Sequence, residues 1–440
     1  MAGRVQLATR GTQDVFFTDN PEYTYFIKNF KKHTNFAKNT VDHDVVGEVE
    51  FGSVLRCTLP QNVGDLLKTL SFRIELDPIP ISPGISLGYT ESIGHAIIEQ
   101  VDLYIGGTLV QRIPRDFLQI YSEHYVTQTK QTNLDKLIGK PSDELSGTPV
   151  YSSSILGHLG ESVSKRTYIV DVPFYFYNNP ELAIPLCALG NQECEIVVKL
   201  APQIQCIYDI VNLVPHQGNY KGLIKDFKVV TEMVYLEEPE RTRIQENPVD
   251  YIITQIQCDS IHIPGTTEPY QNIKHKLQFI NPVKELYFVF QSQSGTYSPF
   301  DYDHPLQQVN GKYTNYEHLI HANLTLDNEV FLNDVTGNYI HLRAVQSGIH
   351  HSRTQLFRRF YSYSFALEPE RWYPTGQKNF SLINEQLLNM KLNGQMYDLV
   401  DGEGGRLVEV LFDRELRVYA LSYNILRIED GSARLLFSGD

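Results

Sequence analysis

Short segments in which apolar and polar residues alternate recur along the chain, and they favour folds made of many strands. The clearest is residues 70–76 (LSFRIEL), whose apolar side chains would all lie on one face of a β-strand. Further strand candidates are residues 194–200, 227–236, 251–257 and 286–291. Strands that recur at intervals of roughly 8–12 residues, with few helices between them, predict β-sandwiches or jelly rolls.

The same succession of candidates appears in both halves of the chain. Residues 101–110 and 323–332 have the pattern strand, turn and strand, and residues 174–181 and 363–370 have that of an aromatic strand before an acidic, proline-containing turn. A chain of 440 residues is also too long for one ordinary core. The predicted fold class is all-β, with two consecutive β-sandwich or jelly-roll domains and few short helices. The predicted division is an N-terminal arm at 1–25, a first jelly roll at 26–236, a linker at 237–247 and a second jelly roll at 248–440.

The intervals between the strand candidates have their own patterns. Gly106-Gly107 suits the positive φ of a tight hairpin turn. Residues 114–127 carry apolar side chains at helical spacing after Pro114, and they predict the only substantial helix of the first half. Residues 128–166 and 295–316 are polar or turn-rich and predict long exposed loops.

Charge and cysteine content exclude several classes of function. The formal net charge of −14 argues against direct nucleic-acid binding, which needs clustered Lys and Arg. The 5 cysteines form no C-x-x-C pair, so they indicate neither a disulfide framework nor a zinc site, and we expect reduced thiols. Neither a signal-peptide pattern nor an apolar run of about eighteen residues occurs, so neither secretion nor membrane spanning is expected.

The opening stretch, residues 11–36, joins a short apolar run, a turn signal, an aromatic run and a basic cluster. Neither run is long enough to form a helix with its own core, so we expect the segment to lie on another surface. We predict an assembly arm whose contact residues are Val15, Phe16, Phe17, Asn20, Pro21, Tyr23, Tyr25, Phe26, Lys28, Lys31 and Lys32.

This arm and several later motifs resemble the major capsid proteins of large eukaryotic DNA viruses, of the iridovirus and phycodnavirus type. Residues 183–189 (AIPLCAL) followed by residues 194–200 resemble that family's leucine-proline-leucine segment and the strand after it. Residues 281–286 (NPVKEL) resemble a strand entry of the family. Residues 364–370 (SFALEPE) and 418–428 (VYALSYNILRI) are the most specific matches. Together the motifs span nearly the whole chain in the family's order.

The resemblance implies a structural subunit of a virion. It implies two consecutive eight-stranded jelly rolls in one chain, with three chains in each pseudo-hexagonal capsomer of an icosahedral shell. The expected partners are two further copies, neighbouring capsomers and minor capsid proteins, and an internal membrane is a further candidate for the basic cluster of the arm. Synthesis and assembly are expected in the host cytoplasm. No cofactor, metal or catalytic residue is expected.

Two other functions fit a β-sandwich. A metal-dependent jelly-roll enzyme would hold iron through His-x-His or His-x-Asp/Glu pairs, but none of the 14 histidines has that spacing, which leaves His318-x-x-His321 and His350-His351. A carbohydrate-binding protein would use aromatic and acidic loops such as residues 297–304 (YSPFDYDH). The glycosylation triplets at Asn323 and Asn379 fall in expected framework and are interpreted as structural.

Overall fold

The structure is a computed structural model that describes residues 2–28, 31–80, 87–140, 165–209, 214–218, 220–292, 300, 302, 317–353, 360–398, 406–409 and 413–437. The chain divides into two compact units, Met1–Phe36 and Ala37–Asp440. Of the described residues, no helix is both long enough and apolar enough to cross a membrane.

The first unit contains two short helices, α1 (Ala2–Ala8) and α2 (Thr12–Thr18), and neither has a buried residue. In α2 the Asp14 carboxylate accepts a hydrogen bond from the Gly11 backbone N–H at 3.0 Å, which satisfies one of the free donors at the helix start. The apolar run of the arm is therefore helical although it has no core of its own.

The first half of the second unit is built from short antiparallel strands. Its helices are α3 (Ile93–Ala96), α4 (Arg115–His124) and α5 (Gln128–Ile138). Its strands are β1 (Phe36–Asp44), β2 (Val54–Leu59), β3 (Leu66–Leu76), β4 (Leu87–Tyr89), β5 (Ile98–Ile105), β6 (Thr108–Pro114), β7 (Arg166–Asp171), β8 (Ile184–Pro185), β9 (Cys194–Leu200), β10 (Ile207–Asp209), β11 (Val214–Pro215) and β12 (Ile224–Leu236).

The second half begins after helix α6 (Glu238–Glu246). It also contains a π-helical turn, His341–Val345, that runs into α7 (Gln346–His350). Its strands are β13 (Val249–Ile263), β14 (Tyr270–Lys276), β15 (Pro282–Ser292), β16 (Leu319–Leu326), β17 (Glu329–Leu332), β18 (Phe360–Ser364), β19 (Lys378–Asn379), β20 (Gln386–Asn393), β21 (Gln395–Asp398), β22 (Arg406–Glu409), β23 (Arg414–Glu429) and β24 (Ser432–Leu435).

The two halves share one sheet topology. In the first half the principal strands pair in the orders β1-β12-β3-β7 and β2-β9-β5-β6, and in the second half in the orders β13-β23-β15-β18 and β14-β20-β16-β17. When each half's principal strands are numbered along the chain, both halves pair as 1-8-3-6 and 2-7-4-5. That is the jelly-roll order, and the predicted fold class of two consecutive eight-stranded jelly rolls is confirmed.

Strand β15 shows how the two hydrophobic cores meet. Leu286 and Phe288 point into the core of the second jelly roll, whereas the alternate residues Tyr287 and Val289 belong to the core cluster of the first. Both faces of the strand are thus buried, which explains its nearly continuous apolar run. The β13-β23-β15-β18 sheet therefore lies between its own core and the first jelly roll.

Several local predictions are confirmed. Gly106 and Gly107 form the β5–β6 turn with φ of 56° and 79°, and helix α4 lies within the predicted 114–127. The β16–β17 pair also forms where the sequence predicts it, and strand β18 ends within the predicted aromatic segment that begins at residue 363.

Two other local predictions are wrong. Residues 128–138 of the predicted exposed loop 128–166 form α5, so α4 is not the only substantial helix of the first half; residues 141–164 lie outside the described part. Helix α5 buries Gln131 and Asp135, which bond to each other at 2.6 Å, so it lacks the apolar period that would reveal it. The aromatic residues 174–177 form turns and not a strand, because the Tyr177 N–H bonds to the Phe174 carbonyl at 2.8 Å.

Candidate functional site

The predicted assembly arm presents its aromatic side chains to solvent. Phe16 and Phe17 on α2 are each 84% exposed, and Phe26 is 92% exposed. The rings of Phe16 and Phe17 meet edge to face at 5.6 Å. Fully burying one such side chain is worth about 1.5–3 kcal/mol, so a second surface that covers them would be strongly favoured.

The structure brings together only sequence neighbours among the predicted arm residues. The Tyr23 and Tyr25 rings lie 5.1 Å apart, with their hydroxyl oxygens at 2.8 Å. Asn20 has a left-handed backbone with φ of 49°, which fits the predicted turn before Pro21. The side chains of Val15, Lys28, Lys31 and Lys32 are exposed. The predicted arm residues are thus exposed to solvent and do not line a common pocket.

A second candidate feature, which the sequence did not reveal, is a set of buried charges between the two jelly rolls, called here the seam. Its first cluster centres on Asp116 of α4, which is 2% exposed. The Asp116 carboxylate accepts hydrogen bonds from Arg417 of β23 at 2.6 Å, from the Tyr419 hydroxyl at 2.7 Å and from the Tyr302 hydroxyl at 2.9 Å. Burial tends to raise the pKa of Asp116, but the guanidinium groups of Arg417 and Arg115 outweigh it and lower the pKa.

The second seam cluster centres on His351, which follows α7. Its Nε2 lies 2.6 Å from the Glu285 carboxylate of β15, and both side chains are fully buried. Its Nδ1 lies 3.3 Å from Glu370. From the first jelly roll, the Tyr125 hydroxyl donates to Glu285 at 3.4 Å and the His124 ring lies 5.0 Å from the His351 ring. Burial alone would lower the pKa of His351, but the Glu285 carboxylate reverses this and raises it to about 9.

The third seam cluster links helices α4 and α5 to Arg353. Lys140 donates to Glu123 at 2.7 Å, with side chains only 3% and 0% exposed. Arg353 bonds to Gln131, and its backbone N–H donates to the His124 carbonyl at 3.1 Å. Buried charges are tolerated only when they are paired in this way, and the loss of one partner is strongly destabilising. The seam therefore joins the two jelly rolls through paired buried charges, and we expect it to hold them in one fixed relation.

The seam has a weak sequence signal. Lys284-Glu285 interrupts the apolar run of β15, and Arg417 interrupts that of β23. A charge inside a strand with two buried faces needs a buried partner. The partners lie 301 positions away for Arg417 and Asp116 and 66 positions away for His351 and Glu285, so sequence spacing could not identify them.

The histidines considered as metal ligands have different surroundings. His318 is buried and stacks on Phe290 with ring centroids 5.6 Å apart, whereas His321 lies on the other face of the sheet near Asp334. His350 contacts the Leu367 carbonyl, away from the buried His351. Within the described ranges, no group of three or more His, Cys, Asp or Glu side chains could hold a metal ion.

The loop proposed for carbohydrate is described only at two residues. Phe300 and Tyr302 are each 1% exposed, and Tyr302 is a seam residue, so neither ring offers a stacking surface for a sugar. The rest of 295–316 lies outside the described residues. Asn323 is in β16, and Asn379 is in β19, where its Oδ1 accepts from the Ser381 N–H at 3.0 Å.

The raised pKa of His351 predicts that the stability of the protein depends on pH. Since the pKa of His351 is about 6.5 in an unfolded chain and about 9 when folded, its contribution to stability is complete below pH 6.5 and is lost as pH rises towards 9. We expect the free energy of unfolding to fall by on the order of 2 kcal/mol between pH 6.5 and 8. Above pH 8 the buried Lys284, whose pKa burial lowers to about 8, opposes the trend. Urea denaturation at fixed temperature measures the profile.

His262→Gln is the matched control for this profile, because it removes the same ring from a side chain that is 65% exposed. His351→Gln should remove the slope between pH 6.5 and 8. A wild-type stability that is flat over that interval would contradict the assigned role of His351.

Two protein-family models match this chain, one in each half. Residues 24–237 match the family model described as major capsid protein N-terminus. Residues 240–434 match the model described as large eukaryotic DNA virus major capsid protein.

Relatives and solved structures extend this match. The major capsid protein of Pyramimonas orientalis virus is 25% identical over 99% of both chains. That of Paramecium bursaria Chlorella virus 1 is 25% identical over 100% of both chains. The crystal structure of PBCV-1 VP54, fitted into a reconstruction of the virophage Sputnik, superposes with a TM-score of 0.74 at 22% identity and covers 94% of this chain and 100% of VP54. This chain therefore belongs to the family of major capsid proteins of large eukaryotic DNA viruses.

Proposed function

We propose that three copies of this chain form a capsomer with a pseudo-hexagonal outline, and that such capsomers tile the faces of an icosahedral shell. The observation that carries the proposal is the presence of two jelly rolls of the same strand order in one chain, held together by a buried seam. Three such chains supply six similar lobes around a threefold axis, so a trimer can occupy a lattice position of sixfold shape.

The seam supports this role physically. A pseudo-hexagonal outline requires that the angle between the two lobes be the same in every subunit. Salt bridges as enclosed as Glu285–His351, at 2.6 Å with no exposed side-chain surface, need well-defined geometry because a misplaced partner leaves a buried charge. We propose that the jelly rolls correspond to residues 26–236 and 248–440, joined by 237–247.

The arm is the proposed contact with other components of the particle. Its exposed aromatic side chains would be covered by a neighbouring capsomer or by a minor capsid protein. Lys28, Lys31 and Lys32 would face the particle interior, where an internal membrane would attract them. Assembly in the host cytoplasm is supported by the 5 free cysteines, of which Cys57, Cys194 and Cys206 are buried, because free thiols suit a reducing compartment.

Light scattering of the purified full-length protein tests the trimer. We expect a mass of about three times the 50.4 kDa of one chain, held by interfaces of upwards of ~2,000 Å². A monomer that persists at micromolar concentration would contradict the proposal.

A further inference from the structure

The outer face of the second jelly roll carries a polar groove that the capsid role does not explain. Strands β14, β20 and β16 lie side by side, and two rows of outward side chains cross them. One row is Asn272, Lys391 and His321, and the other is Lys274, Asn389 and Asn323. These six residues line a cavity of about 290 Å³, called here the lysine-amide groove.

The lysines of this groove make no ion pair with any residue that the structure describes. No described carboxylate forms an ion pair with Lys274, with Lys391 or with the next outward lysine, Lys276. The Lys391 ammonium instead lies 4.4 Å from the centre of the Tyr270 ring. One carboxylate, Asp334, stands at the edge of the groove, 3.7 Å from His321 Nε2.

Three lysines on a sheet of the first jelly roll differ. Lys38 and Lys68 both pair with Glu232, at 3.0 and 2.8 Å, and Lys228 pairs with Asp44 at 2.6 Å. The groove is therefore a surface whose two lysines make no ion pair with a described residue, in a chain whose net charge is −14. Such a surface attracts anions.

The amides add a second chemical requirement. The Asn323 Nδ2 donates to Asp334 at 3.3 Å, whereas its Oδ1 is enclosed and has no hydrogen-bond partner among the described residues. Each asparagine offers both donors and an acceptor. An acidic peptide side chain has only acceptors to offer, but a sugar also supplies hydroxyl donors. A neutral sugar would leave the two ammonium groups without a partner.

We propose that the lysine-amide groove binds an acidic saccharide, whose sulfate or carboxylate groups meet Lys274 and Lys391 and whose hydroxyl groups bond to Asn272, Asn323 and Asn389. This binding activity is separate from the proposed assembly function and does not depend on the trimer. It supplies a route by which a shell subunit would adhere to a glycan-coated surface.

Titration of a fluorescent heparin-derived oligosaccharide into the full-length protein tests the proposal. Lys274→Gln with Lys391→Gln should weaken binding about tenfold, the combined effect of two exposed charges each in contact with an anion. Asn323→Asp, which is close in shape but acidic, should also weaken it. Lys225→Gln removes the same charge from an exposed site on β12 and should change binding by less than about twofold. The lysine side chains face outward, so the melting temperatures of the lysine variants should stay unchanged.

Competitors identify the ligand class. A carboxylated saccharide such as alginate should compete, and dextran should not. Wild-type affinity in the double lysine variant, or equal losses in it and in Lys225→Gln, would overturn the site. Competition by dextran at equal concentration would overturn the role of charge. Polyglutamate that competes as well as the sulfated saccharide would overturn the saccharide assignment in favour of an acidic peptide.

Discussion

Replacing Asp116 with asparagine is expected to lower the free energy of unfolding by about 3 kcal/mol, because it breaks a buried charge pair from one side. The carboxylate accepts three hydrogen bonds from the second jelly roll, among them that of Arg417 at 2.6 Å. Arg417 also donates to Glu415 at 2.7 Å, so part of its charge stays compensated in the variant. The expected loss of stability is therefore at the lower end of the range for a broken buried ion pair. Urea denaturation at pH 7 measures the change.

Asp250→Asn provides the matched control. Asp250 also accepts two hydrogen bonds from an arginine, Arg427, but its side chain is 44% exposed, so its loss should cost less than about 1 kcal/mol. The pKa of Asp116 is lowered on folding, so its contribution is present above about pH 3.9 and is lost as pH falls through the folded value. Equal losses in the two variants at pH 7 would show that the seam does not hold the jelly rolls together.

Deletion of residues 1–25 is expected to leave a folded trimer that fails to enter shells. The strands of both jelly rolls begin at Phe36 or later, so the deletion removes no strand. It does remove the exposed rings of Phe16, Phe17, Tyr23 and Tyr25, whose burial would supply about 1.5–3 kcal/mol each at an assembly contact. Electron microscopy of particles from cells that express the truncated subunit measures incorporation.

Two full-length variants separate the apolar from the basic part of the arm. Phe16→Ser with Phe17→Ser should impair incorporation nearly as much as deletion. Lys28→Gln, Lys31→Gln and Lys32→Gln together should impair it only if the basic cluster meets an anionic surface. An unchanged melting temperature of the truncated trimer would place the contact between capsomers, and a lowered one would place it within the capsomer. Normal shells from the truncated subunit would contradict the assembly role of the arm.

The two-sandwich architecture could be predicted because its determinants are local. In β3 the buried residues Leu70, Phe72 and Ile74 alternate with partly exposed ones, as in any strand with one buried face. The Gly106-Gly107 turn depends on backbone freedom at two adjacent positions. Such signals are repeated in each half, and they are sufficient to indicate two sandwiches.

The seam and helix α5 could not be predicted, for one physical reason. Both are stabilised by polar side chains that are buried because distant residues pair with them. Gln131 of α5 bonds to Arg353, 222 positions away. Because of this distant partner, a polar residue typical of an exposed loop occupies a buried position. The arm has the opposite character, since its aromatic residues suggest burial but the described chain leaves them exposed. Such exposed aromatic side chains indicate a binding site for another molecule.

The most direct test of the central claim, that two jelly rolls held by a buried seam form one third of a capsomer, is a single-particle cryo-EM map of the purified protein. We expect a threefold particle with six lobes, in which density for Asp116, Arg417 and Tyr419 is continuous between the two lobes of each chain. A map in which the two lobes of one chain adopt variable angles, or in which the particle contains one chain, would contradict the account.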